Sequence, residues 1–213
     1  EYEQANTVIL IALAMATPFF VVFGGLSDKI GRRNIMLLGM LLGVLLYRPI
    51  FQQLYNIADA SKKTLVKEEA AIDGSGAITA SYTDGSSLKT VTKTRGDGKS
   101  DVIKTMTLAP SGKWKMVFLI ALMVLFVTMV YGPVAAFLVE LFPTRIRYTS
   151  MSLPYHIGNG VFGGLVPFIA TLVTTIPGTN HLSGLWYPIG VAALCFIIGL
   201  LYLSNKPDEN IQD

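Results

Sequence analysis

The ten residues Gly24-Gly25-Leu26-Ser27-Asp28-Lys29-Ile30-Gly31-Arg32-Arg33 separate two long apolar runs, Ala5 to Gly25 and Asn34 to Leu54. A link this short leaves room only for a tight turn between two helices. The glycines Gly24 and Gly25 are expected to end the first helix and to let a neighbouring helix come close to its backbone. Asp28 is an acid at a helix end, placed to meet positive helix termini or a nearby arginine. Gly31 permits the turn. Arg32 and Arg33 are cations that hold the link on the cytoplasmic side of a membrane.

Outward from this link the pattern repeats. Three further apolar runs follow: Lys115 to Leu138, Met151 to Thr175 and Leu185 to Ser204. Each is about twenty residues, the length that crosses a hydrocarbon core of roughly 30 Å. Lipid cannot satisfy exposed backbone polar groups, so each run is read as a helix. A β-barrel would show short alternating segments, and these runs do not alternate. The fold class is therefore an all-α membrane protein of five transmembrane helices.

Composition supports the reading by where the charges fall. Of 213 residues only 15% are charged, against about 25% in soluble domains, and mean hydropathy is +0.52. Residues 57–113 hold 9 of the 17 Lys and Arg and 7 of the 14 Asp and Glu, and the rest is mostly apolar runs with charges at their ends. The net charge of +3 forms no basic stripe, and no nucleic-acid partner is expected. The one cysteine, Cys195, lies in an apolar run and reads as a packing residue. No initiator Met and no charged leader precede the first run, so no signal peptide is read and the chain begins in the style of a mid-protein segment.

Basic residues in the short loops set the orientation. Lys29, Arg32 and Arg33 follow the first run, Arg145 and Arg147 the third, and Lys206 sits in the tail. The loop from Ile176 to Gly184 has neither Lys nor Arg. The basic loops and C-terminus are then cytoplasmic, and residues 57–113 are external. Arg48, toward the outer end of the second run, is expected to snorkel to the interface or face a polar cavity.

Three segments are expected: 1–56 with two spans and the signature loop, 57–113 as an external insert, and 114–213 with three spans and the tail. In the insert, Ala58 to Ala71 reads as a short polar helix. Alternating stretches Ala77 to Thr83, Leu88 to Arg95 and Val102 to Leu108 follow, with turn signals at Asp84-Gly85 and Gly96-Asp97-Gly98. The expectation is a small β-meander with a thin core of Ile78, Tyr82, Leu88, Val91, Val102 and Met106. It serves either as a tolerated loop elaboration or as a cap contacting a partner or lipid.

The loop Gly24 to Arg33 resembles the signature of the major facilitator superfamily: Gly, three residues, Asp, a basic residue, any residue, Gly, Arg, a basic residue. A second stretch, Tyr131-Gly132-Pro133 through Glu140-Leu141-Phe142-Pro143-Thr144-Arg145-Ile146-Arg147-Tyr148, resembles the end of helix 10 and its following loop in the metabolite:proton symporters, which include proline/betaine, shikimate and 2-oxoglutarate transporters. Ser152-Leu153-Pro154-Tyr155-His156-Ile157-Gly158-Asn159-Gly160 through Gly163-Gly164 resembles helix 11 of that family. The resemblance implies that the five spans are helices 8 to 12 of a twelve-helix transporter, with helix 7 and the first lobe as absent partners. It also implies proton-coupled symport of a small polar metabolite by alternating access, in a bacterial inner membrane, with lipid around it. The 57–113 insert departs from the pattern. Sugar porters share part of the second motif, and a membrane receptor or scaffold using the insert is the rival of another class. An upstream reading frame encoding about seven more spans separates a transporter from a five-span protein.

The candidate site residues fall in two groups. Gly24, Asp28, Gly31, Arg32, Arg33, Glu140, Arg145 and Arg147 form a signature loop and conformational latch, with Asp28, Arg32, Glu140 and Arg145 or Arg147 in one charge cluster. The alternative is an ordinary surface salt bridge, worth about 0–1 kcal/mol. Tyr131, Tyr155, His156 and Asn159 form a substrate or proton pathway. His156 and Asn159, three apart, share a helix face, and an imidazole titrating near 6.5 suits a proton carrier. A structural histidine bonded to a neighbouring helix is the alternative. Tyr131-Gly132-Pro133 is expected to kink the third span, as Pro18, Pro49 and Pro167 are expected to kink the first, second and fourth. Thr17 and Asn6 are weaker cavity candidates, and His181 is read as a solvated loop residue. No Gly-x-x-x-x-Gly-Lys-Ser/Thr phosphate loop (Gly98-Lys99-Ser100 has Lys93 in place of the first glycine), no metal-ligand spacing and no hydrolytic or redox constellation is present, so no enzyme activity, cofactor or metal is expected.

Overall fold

Pro18 divides the first apolar run, because it lacks the N–H that would continue the helical ladder. In the computed structural model, which describes residues 2–70, 77–94, 100–143 and 145–203, helix α1 (Tyr2–Ala16) ends there and α2 (Phe19–Ile30) begins. The N–H of Phe20 turns back to the Thr17 carbonyl at 3.1 Å. Helix α2 does not end at Gly24-Gly25 as the sequence suggests. It runs on to Ile30 and stops at Gly31, whose φ of 103° is a backbone conformation that favours glycine. Asp28 therefore lies in the last turn of a helix, not in a loop.

Helix α3 (Arg32–Ala58) follows at once, and α4 (Pro110–Leu141), α5 (Arg147–His156), α6 (Gly164–Thr175) and α7 (Trp186–Tyr202) complete the helical set. A π-helical segment, Ile157–Gly163, joins α5 to α6, with the Gly164 N–H reaching the Asn159 carbonyl five residues back. Pro49, Pro133 and Pro167 sit inside α3, α4 and α6 without ending them. Among the described residues five helices are long and apolar enough to cross a membrane: Glu3–Ile30, Arg32–Ala58, Pro110–Leu141, Arg147–Thr175 and Ser183–Tyr202. With a small antiparallel sheet added, this is the all-α membrane fold read from the sequence.

The sheet has four strands, not three. They are β1 (Leu65–Ala70), β2 (Ala77–Tyr82), β3 (Ser87–Thr94) and β4 (Ser100–Thr107), antiparallel in the order β1-β2-β3-β4. The short polar helix expected over 58–71 is absent. A single 3-10 turn, Ala60–Lys62, is capped by the Asp59 carboxylate, and β1 follows. Pairing of Leu65 with Tyr82 and Glu68 with Ala80 outweighs the helix preference of Lys67-Glu68-Glu69. The expected thin core is also corrected. Leu88 stands opposite Ala80 and Met106, whereas Val91 stands opposite Ala77 and Ile103, on the other face. Ile78 and Val102 are 41% and 55% exposed. The Gly96-Asp97-Gly98 turn, Ala71, Arg95, Thr144, Ser204 and the tail with Lys206 lie outside the described residues.

Packing divides the chain into two compact units, Glu1–Leu13 with Gln53–Ala121 and Ala14–Gln52 with Leu122–Asp213. In the first, Val8 and Ala12 of α1 bury themselves against Val117 of α4, flanked by Ile11, Met116 and Ile120. In the second, Ile35 and Met36 of α3, Phe126 and Met129 of α4 and Ile189 of α7 are buried. Gly39 brings α3 against α4: a Cβ there would lie 2.8 Å from the Met129 Cβ and 3.0 Å from the Phe126 carbonyl oxygen.

One ion pair pins the sheet. Lys63 Nζ lies 2.8 Å from Asp84 Oδ2, and the buried Ser86 hydroxyl and N–H donate to Asp84 Oδ1. The Lys63 hydrogen bond, then that of Ser86, lower the Asp84 carboxyl from 3.8 to about 2. A depressed carboxylate contributes stability above its unfolded pKa and loses it as pH falls through the folded one. Hydrogen-exchange protection of the Gly85 and Ser86 amides is thus expected to fall between about pH 4 and about pH 2. In Asp84→Asn it should vary less over that range. Equal pH dependence in both proteins would remove the assignment.

Candidate functional site

The signature turn is built around Arg32. As the first residue of α3 it sits one turn beyond Asp28, and its Nη2 bonds Asp28 Oδ1 at 3.0 Å. Its Nη1 reaches Glu140 Oε1 at 2.7 Å, in the last turn of α4. One guanidinium thus joins the end of α2 to the end of α4 through separate nitrogens. The ion cluster expected from the sequence forms with three of its four members. Arg147 instead donates from Nε to the Phe142 carbonyl at 3.2 Å, closing the turn between α4 and α5. Arg145 is exposed, and among the described residues no carboxylate pairs with either arginine.

Gly31 accepts the N–H groups of Asn34 and Ile35, so the turn passes directly into α3. The close approach expected at Gly24 is made with Gly132 of α4. A Cβ on Gly132 would lie 3.0 Å from the Phe20 carbonyl oxygen and 3.2 Å from the Gly24 nitrogen. Gly25 has open space beside it. The buried Ser27 hydroxyl donates to the Gly24 carbonyl at 2.6 Å.

Arg33 has a role the sequence reading did not find. Its Nη2 donates to the Leu200 carbonyl at 2.6 Å and its Nε to Gly199 at 3.4 Å. The last carbonyls of a helix have no partners within it, and α7 carries no basic residue in its final turn. An arginine from α3 supplies that cap. Lacking knowledge of which helix lies alongside, sequence reasoning had no signal for it. Arg48 is likewise placed: its guanidinium lies 4.8 Å from the Trp186 ring centroid, a cation–π contact.

The second group is only partly assembled. Tyr131 of α4 donates its hydroxyl to Asn159 Oδ1 at 2.9 Å, within the π segment. His156 Nδ1 lies 2.7 Å from the carbonyl of Ser152 in its own helix, and among the described residues the alternative bond to a neighbouring helix is not made. Tyr155 packs edge-on against the His156 ring, and both are exposed. Tyr131 also lines an apolar cavity of about 170 Å³ with Gly39, Gly43, Tyr47 and Ile189.

Comparison with curated proteins finds transporters. The chain is 40% identical over 81 residues to a putative metabolite transport protein of Haemophilus influenzae, covering 37% of this chain and 17% of that protein. It is 28% identical over 106 residues to the citrate-proton symporter of Klebsiella pneumoniae, covering 49% and 23%. It is 22% identical over 197 residues to the alpha-ketoglutarate permease of Escherichia coli, covering 92% and 33%.

The chain resembles metabolite:proton symporters of the major facilitator superfamily.

The resemblance stated from the loop motifs is borne out, over part of each sequence. The chain spans between 16% and 33% of the length of the curated relatives it matches. No protein-family model matches it, and no solved structure matches it.

Proposed function

We propose that this chain forms helices 8 to 12 of a secondary transporter that moves a small polar metabolite together with protons by alternating access. The observation that carries the reading is the Tyr131–Asn159 hydrogen bond, a polar contact set near the middle of two apolar spans. Polar side chains at such depth face a bundle interior or a wet cavity. The names of the citrate-proton symporter and alpha-ketoglutarate permease support an organic acid as cargo, with amino acids and betaine in the same size class. The Arg32 bridge serves as the latch that closes the cytoplasmic side. In this reading 1–56 and 114–213 supply the spans, and 57–113 stands outside the cell. Surrounding lipid and a first lobe with helix 7 complete the assembly.

The test is uptake by the complete gene product in proteoliposomes, with citrate, 2-oxoglutarate, shikimate, proline, betaine and hexoses as labelled solutes. Accumulation of a carboxylate that a protonophore abolishes is the expected result. Uptake of hexose alone, indifferent to the protonophore, would replace this reading with a sugar facilitator. Reporter fusions should place the Ser27–Asn34 turn inside the cell and the sheet outside.

A further inference from the structure

We infer that the slot beside the start of α4 seats the headgroup and upper acyl chain of an anionic phospholipid. The slot is a cavity of about 250 Å³ within the first compact unit. Its polar end carries Gln4 and Lys113. Deeper along α1 and α4 its walls are Val8, Ile9, Met116 and Ile120, and Met106 of β4 closes one side. The two helices run in the same chain direction, so Val8, Met116 and Ile120 follow Gln4 and Lys113 by one to two turns, and Ala58, Met106 and Leu108 complete an otherwise apolar lining. A single cation set in an apolar lining matches a phosphate head with the first carbons of an acyl chain beside it.

The charge at the mouth selects the head. Among the described residues Lys113 is the only charged one lining this slot, and there it pairs with no carboxylate. Glu3 lines the adjoining cavity, with Lys113 and Trp114, and not this one. Trp114 is 62% exposed between Lys113 and Lys115. Tryptophan flanked by lysines is the side-chain set that settles at headgroup level. A lysine near a membrane surface attracts anionic lipid, and a slot beside it converts that attraction into a held molecule.

The experiment is native mass spectrometry of the full chain in a neutral detergent, titrated with phosphatidylglycerol or phosphatidylcholine of matched chains. Phosphatidylglycerol should be retained about fivefold more strongly, the factor one lysine supplies at a membrane surface. Lys113→Gln should remove that preference, and Lys115→Gln, whose side chain lines a different cavity, should keep it. Ile9→Phe, which enlarges a side chain lining the slot, should lower retention of both lipids, with circular dichroism confirming that the helices persist. Equal retention of the two lipids would overturn the assignment. So would equal losses in both lysine variants, or a second copy of the chain occupying the slot in place of lipid.

Discussion

Gly39→Ala is expected to destabilise the protein by about 1–3 kcal/mol, the usual cost of overpacking a filled contact. The added methyl would sit 2.8 Å from the Met129 Cβ, 3.0 Å from Val130 Cγ2 and 3.0 Å from the Phe126 carbonyl oxygen. One of those neighbours is backbone, so α3 and α4 must move apart. Gly25→Ala makes the opposite case. It lies in helix α2 with open space beside it, and alanine there gains about 0.5–1 kcal/mol of helix preference. Thermal unfolding in detergent should therefore separate the two variants in sign. Equal melting temperatures would mean that the α3–α4 contact is looser than the backbone geometry shows.

Arg32→Glu is expected to reduce uptake by the complete transporter at least about tenfold, equal to about 1.4 kcal/mol on the barrier. The substitution removes the cation shared by Asp28 and Glu140 and adds a third acid to the same place. The effect on stability should be much smaller. The carboxylates are 60% and 43% exposed, and pairs so open to solvent contribute about 0–1 kcal/mol each. Asp28→Asn should lower uptake in the same direction while the protein remains in the membrane. Arg145→Gln, which breaks no ion pair seen among the described residues, should leave uptake near normal. Normal uptake in Arg32→Glu would show the bridge to be an ordinary surface contact.

The spans were legible in the sequence because apolar length is a property of the chain alone. So was the Asp28–Arg32 pair, since residues four apart on a helical turn are neighbours by geometry. Glu140 was legible only through the family motif, which places the third span's end near the signature turn. What could not be read depends on which helices lie side by side. Arg33 finds the α7 carbonyls 166 and 167 residues away, and Arg48 finds Trp186. Strand β1 was hidden because Lys67-Glu68-Glu69 favours a helix until β2 offers it a partner. The π segment was hidden too. Gly158, Gly160, Gly163 and Gly164 tolerate a widened turn, but a glycine run does not say that one forms.

Arg32 holds its two acids with two different nitrogens of one planar group. A lysine has a single ammonium and cannot reproduce that fork. Sequences that carry lysine here should therefore tolerate loss of one acid, and in this chain Arg32→Lys should make Asp28→Asn and Glu140→Gln less costly together than the sum of their separate effects. The position is thus a site of built-in epistasis, where the tolerance of one residue is set by the identity of another more than a hundred positions away.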